Sequence, residues 1–122
     1  MRTTAPPLVP GIERDALVGC GTTLDLPAGT VLCHAGERGT QVFVILAGSV
    51  AVTNAAGRVA DLGPGDVVGE LAVLAARPRN ADAVALTDVT VVVFTPAEFA
   101  AVRERDPRFA TAVDDVAATR AA

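Results

Sequence analysis

The chain has no lysine, no tryptophan, no tyrosine, a single histidine and only 2 cysteines in 122 residues. Each shortage removes a class of function. Its 4 phenylalanines are the only aromatics, too few stacking platforms for a single-strand nucleic-acid binder. All 10 basic residues are arginines, scattered along a chain of net charge -4. That leaves no concentrated positive field for nucleic acid or an anionic membrane. His34 alone falls short of a metal site built from several imidazoles. Cys20 and Cys33 form no C-x-x-C pair and have no histidine co-ligands. Their ordinary reading is two small buried residues in a reducing cytoplasm, with a disulfide between them left open. No apolar run approaches the ~18 residues of a membrane-spanning helix, and the opening MRTTAPPLVPG holds no apolar core of signal-peptide length. A cytoplasmic chain without membrane or nucleic-acid partners is the expectation.

What is present points to one folded unit. An apolar content of 51% over 122 residues supports a single core. Residues 1–10 read as a flexible, proline-rich leader and residues 11–122 as one domain, with one or two helical turns over 12–18. Segments 22–26, 30–34, 41–47, 49–54 and 58–62 are β-branched or alternate apolar with polar, and two more strands follow at 81–86 and 90–95. Glycine-bearing turns lie between them. Many short strands at even spacing predict an antiparallel sandwich or barrel. The period changes near the end. Thr95-Pro96-Ala97-Glu98 spells a capping box with proline in the first helical turn. Asp106-Pro107 repeats the cap-plus-proline signal, and Phe109, Ala112, Val113, Val116 and Ala117 then fall on one helical face. That stripe either packs on the chain's own barrel or serves a second copy.

The stretch GELAVLAARPRNA, residues 69–81, interrupts the strand pattern. Residues 71–76 are good helix formers stopped by Pro78. So short a helix holds only in tertiary context. Its first turn leaves backbone N–H groups unpaired, with Gly69 allowing close approach, an arrangement suited to an anion. Arg79 returns near the same place as the next strand begins. A guanidinium grips phosphate by paired hydrogen bonds, while the Glu70 carboxylate accepts from an adjacent hydroxyl. An anion with a neighbouring donor is a sugar phosphate. The plainer alternative is a surface Glu70–Arg79 ion pair worth roughly 0–1 kcal/mol.

Several motifs occur in a telling order: Pro27-Ala28-Gly29, Ala35-Gly36-Glu37-Arg38-Gly39, the run from Val42 to Val50, Gly65-Asp66-Val67-Val68-Gly69-Glu70-Leu71-Ala72 and Pro78-Arg79-Asn80-Ala81. This succession resembles the cyclic nucleotide-binding domain family, which includes the bacterial catabolite activator, the regulatory subunit of protein kinase A and cyclic-nucleotide-gated channels. The likeness runs over residues 11–120. It implies a mainly β fold: an eight-stranded antiparallel jelly roll with a short N-terminal helix, a phosphate-binding mini-helix and two C-terminal helices. It implies that Glu70 takes the ribose 2′-hydroxyl and that Arg79 pairs with the cyclic phosphate. Gly69 and the backbone of Leu71, Ala72 and Ala81 complete the cradle, and Asn80 lies beside it. Some members place a lid over the purine from the last helix, which makes Arg120 the lid candidate here. Two positions depart from the usual pattern. Asn80 replaces the alanine, serine or threonine common after the arginine, and Asp82 stands where threonine is frequent. A carboxylate facing the phosphate would repel it, and strand parity leaves the direction of Asp82 open.

The expected function is a cytoplasmic cyclic-nucleotide sensor, with cyclic AMP favoured over cyclic GMP as ligand and no cofactor or metal. Its output goes to an effector protein not identified by the sequence, because no helix-turn-helix fits after Arg120. A homodimer is an open expectation. The alternative is a jelly-roll interaction or dimerisation domain that retains the cassette without binding. An enzyme of the cupin type would need more histidines than His34. Cys33 and His34 are strand neighbours with opposed side chains, poorly placed as a nucleophile–base pair.

Overall fold

Two segments of the chain, VFVILA and VTVVVF, are apolar almost without alternation, the pattern of strands covered on both faces. In the computed structural model they are the two central strands of one sheet. The structure describes residues 17–55, 57–74 and 78–121. The side chains of Arg58, Val59, Leu71, Thr119, Arg120 and Ala121 lie outside that description. So do the expected leader and most of the expected N-terminal helix, of which Leu17 and Val18 are described and helical.

The strands are β1 (Thr22–Leu26), β2 (Val31–Cys33), β3 (Val42–Ala47), β4 (Val50–Asn54), β5 (Gly57–Leu62), β6 (Val67–Val68), β7 (Asp82–Ala85) and β8 (Val89–Phe94). The helices are α1 (Glu70–Leu74), α2 (Pro96–Arg105) and α3 (Pro107–Ala121). All strand pairs are antiparallel and form two four-stranded sheets, ordered β1-β8-β3-β6 and β2-β7-β4-β5. This is the mainly β architecture with flanking helices that the motif order implied. β6 is an addition: two residues embedded among turn-formers, too short to carry a readable alternation.

β3 explains how the layers assemble. Phe43 and Ile45 face the second sheet and pack with Val50, Ala83, Ala85, Val91 and Val93. Val42, Val44 and Leu46 face the other way, where Val92, Phe94, Phe99, Val102, Phe109 and Val113 close over them. One sheet is therefore the middle layer of three. Each buried valine, leucine or phenylalanine contributes about 1.5–3 kcal/mol relative to exposure.

The helical layer follows the terminal signals. The Thr95 hydroxyl accepts from Glu98 N–H at 3.1 Å, and Thr95 N–H donates to the Glu98 carboxylate at 2.9 Å. The Asp106 carboxylate accepts from the N–H groups of Arg108 and Phe109 at 3.1 and 3.3 Å. Phe94, Phe99 and Phe109 form a three-ring cluster with centroids 6.0–6.5 Å apart. Phe109, Val113 and Ala117 are buried, so the apolar stripe of α3 packs on its own barrel. The reading of Cys20 needs correction. Both cysteines are free, but Cys20 is half-buried at the surface with the Arg105 guanidinium 3.7 Å from its sulfur; Cys33 alone is buried. Among the described residues no helix is long and apolar enough to cross a membrane.

Candidate functional site

The expected cassette occupies the segment from β6 through α1 to β7. Gly69 precedes α1 with φ 88°, a left-handed conformation that costs glycine little. A methyl group at this position would also collide with the Arg79 guanidinium and crowd the Gln41 carbonyl. Gly39 meets Arg79 from the other side, where a β-carbon would overlap its side chain. Two glycines thus form the slot in which the arginine lies.

The arginine is held at both ends. Its Nη1 donates to the Gly69 carbonyl at 2.8 Å and its Nη2 to the Gln41 carbonyl at 2.7 Å. Its backbone N–H donates to the Glu37 carbonyl at 2.8 Å, and its own carbonyl accepts from Gly36 N–H at 2.8 Å. Residues 36–41 are therefore stitched to the segment carrying Arg79, with Arg38 and Pro78 bridged alongside. A guanidinium has five N–H donors. Two serve these carbonyls, which fixes the plane and leaves donors for an anion.

Glu70, the first residue of α1, is 1% exposed. The solvated surface ion pair that competed with the sugar-phosphate reading does not describe a carboxylate so enclosed. Asp82 is tied to the backbone. Its carboxylate accepts from Ala35 N–H at 2.7 Å, so it fastens the end of β2 to the start of β7 and has a partner of its own.

These residues line one cavity of about 390 Å³. Gly69, Glu70, Ala72, Arg79, Asn80 and Ala81, all expected from the cassette, are on its wall. The Leu71 side chain and the lid candidate, the Arg120 side chain, lie outside the described residues; the backbone of Arg120 belongs to α3. The opposite wall was not foreseen. Cys33, Val52, Asn54, Ala60, Leu62, Val68 and Ala83 complete it, together with Asp82, whose direction the sequence had left open. Strand parity carried a signal for part of this set, since Val52 and Asn54 share one face of β4, as Ala60 and Leu62 share one face of β5. Choosing that face required the sheet register. Burial pushes the Cys33 thiol above its ordinary value of 9.0; the Arg79 guanidinium opposes the rise, and the carboxylates of Glu70 and Asp82 reinforce it. No cluster of histidine, cysteine and carboxylate side chains able to hold a metal ion occurs among the described residues.

A buried acid, a clamped guanidinium and a glycine-opened helical turn on one side, and small apolar side chains on the other, suit a ligand with a polar sugar-anion end and a flat apolar end. The comparisons agree in kind. Residues 23–106 match the family described as the cyclic nucleotide-binding domain. The chain is 36% identical over 94 residues, 76% of its length, to the Pycsar effector protein XpPycTIR of Xanthomonas perforans, covering 31% of that protein. It is 36% identical over 85 residues, 70% of its length, to a cyclic nucleotide-gated potassium channel of Mesorhizobium japonicum, covering 23% of it. The chain thus spans under a third of each of these two relatives. The solved catabolite activator protein of Thermus thermophilus superimposes with a TM-score of 0.78 at 25% identity, over 94% of this chain and 58% of that one.

Proposed function

This chain belongs to the cyclic nucleotide-binding domain family, and from that premise we propose that its cavity receives a cyclic nucleotide and that the chain acts as a regulatory sensor rather than a catalyst. The convergence of Glu70 and Arg79 on one cavity carries the reading. Glu70 accepts from the ribose 2′-hydroxyl. Arg79 pairs with the cyclic phosphate, aided by the backbone N–H groups of Leu71, Ala72 and Ala81, and Asn80 stands beside it. Burial of Glu70 strengthens the contact, because a hydrogen bond to an ionised group counts for more where water is excluded. Cyclic AMP is the first ligand to try; cyclic GMP presents the cassette with the same sugar and phosphate. A cytoplasmic setting and an effector partner belong to the same reading.

The alternative of a non-binding jelly roll drew its chemical support from Asp82 as a carboxylate repelling phosphate. The hydrogen bond from Ala35 occupies one Asp82 oxygen, but Asp82 also lines the cavity, so its charge still counts against a bound anion and this reading keeps that support. Calorimetric titration tests the proposal. Wild type binds cyclic AMP or cyclic GMP, and Arg79→Ala loses about 1.5–3 kcal/mol, roughly 10- to 150-fold in affinity. Because Arg79 also holds two backbone carbonyls, Glu70→Gln serves as the companion variant and weakens binding while keeping the side chain's volume. Equal binding by wild type and both variants would exclude this site. Light scattering with and without nucleotide separates a receptor from a dimer indifferent to ligand.

A further inference from the structure

We propose that Asp82 sets the charge selectivity of the cavity, favouring the monoanion of a cyclic phosphodiester over the dianion of an open phosphomonoester. The inference rests on the cyclic-nucleotide reading of the site. Among the described residues, three charged ones line the cavity: Glu70, Arg79 and Asp82. Two carboxylates thus stand against one guanidinium, and the wall carries a formal excess of one negative charge. The carbonyls of Gly69 and Gln41 occupy donors of Arg79 without cancelling its charge. One guanidinium balances a singly charged phosphodiester. The second charge of a phosphomonoester has no cation of its own on this wall.

Asp82 opens β7 beside Thr53 of β4 and is half-buried. It follows Arg79 by three residues, so their α-carbons lie within about 11 Å even along a fully extended chain. Asn80 and Ala81, between them, also line the cavity. The carboxylate itself accepts from Ala35 N–H, a neutral donor that leaves the negative charge in place. Asp82 therefore acts on a bound anion through its field rather than by contact. A second group registers that field. The Cys33 thiol, buried on the same wall, is raised chiefly by burial; Arg79 lowers it, and Glu70 and Asp82 each raise it further. Repulsion between Asp82 and a ligand grows in proportion to the ligand's charge, and salt screens it less at a half-buried position than in open solvent. A dianion meets twice the repulsion of a monoanion, so the factor lost in affinity is squared.

The test is calorimetric titration of wild type, Asp82→Asn and Asp82→Thr. The probes are the tighter of cyclic AMP and cyclic GMP and the matching 5′-monophosphate, at about pH 8, where the phosphomonoester is a dianion. Asparagine keeps an oxygen to accept from Ala35 N–H, and threonine is a neutral, β-branched residue suited to a strand. Both variants bind the cyclic ligand about 2- to 5-fold more tightly than wild type, and the 5′-monophosphate by roughly the square of that factor. The preference for the cyclic form narrows accordingly. Where the two variants differ, Asp82→Asn decides, being closest in shape. Unchanged or weakened binding of the cyclic ligand overturns the role of Asp82 alone. An equal gain for the two ligands also overturns it and assigns the residue to the join of β2 and β7. A 5′-monophosphate that stays undetectable with all three proteins overturns it too, since the dianion is then excluded without Asp82. Binding of neither cyclic nucleotide by any of the three proteins overturns the nucleotide reading and this inference together.

Discussion

Cys33 shows how one residue joins the site to stability. Its thiol is held above 9.0 chiefly by burial, so the folded state keeps a proton that the unfolded chain surrenders near that value. Folded protein then binds more protons than unfolded protein, and stability falls with rising pH over the interval that begins at 9.0 and ends at the raised value. Below the interval the contribution is complete. Urea unfolding across alkaline pH therefore gives midpoints that decline above pH 9.0 in wild type and decline less in Cys33→Ala. Alkylation offers a second view: Cys33 lines the cavity, so a nucleotide bound at the proposed site would slow its reaction with small electrophiles. At this scale the sequence spoke for some residues and not for others. Glu70 and Arg79 were legible because their side chains carry the chemistry. The Gln41 and Gly69 carbonyls that clamp the arginine were not, since every residue has a carbonyl and only the folded loop selects two of them. Asp82 was ambiguous for the same reason: its partner is a backbone N–H just past β2, the strand that the fold sets beside β7.

Elements with strong local grammar were read well. β3 and β8 announced themselves by continuous β-branched runs, and α2 by its capping box. Thr95→Ala should cost about 0.5–2 kcal/mol through loss of the cap, and Phe109→Ala about 3–5 kcal/mol through the hole left among three rings; thermal or urea melts measure both. A Phe109 variant as mild as the Thr95 one would mean that the ring cluster is not a principal tie between α3 and the barrel. β6 was missed because two valines have no period, and its identity as a strand comes wholly from pairing with Phe43 and Val44. α1 was expected over 71–76 and begins at Glu70, one residue earlier, with residues 75–77 outside the described set. A five-residue helix does not persist alone. Packing against α3 and β3 supplies its stability.

That contact gives the whole molecule a route from pocket to surface. α1 borders the cavity on one side and α3 on the other. A ligand that prefers one placement of α1 shifts the population of placements open to α3 by its difference in affinity for them, and by no more. Hydrogen exchange reads the outcome: nucleotide alters protection in α2 and α3 as well as at the cassette. Protection changing at the cassette alone would leave the receptor standing and remove the coupling.

Arg79 carries the last consequence. The side chain proposed to hold the phosphate also ties residue 41 to residue 69, and its backbone ties 36 and 37 to 79. One residue thus joins the loop scaffold to the proposed receptor site. A descendant that gave up its messenger would still be penalised for discarding the arginine, because the loop before β3 would come adrift. On this geometry, loss of the ligand alone does not release the arginine, because two backbone carbonyls still rest on its guanidinium.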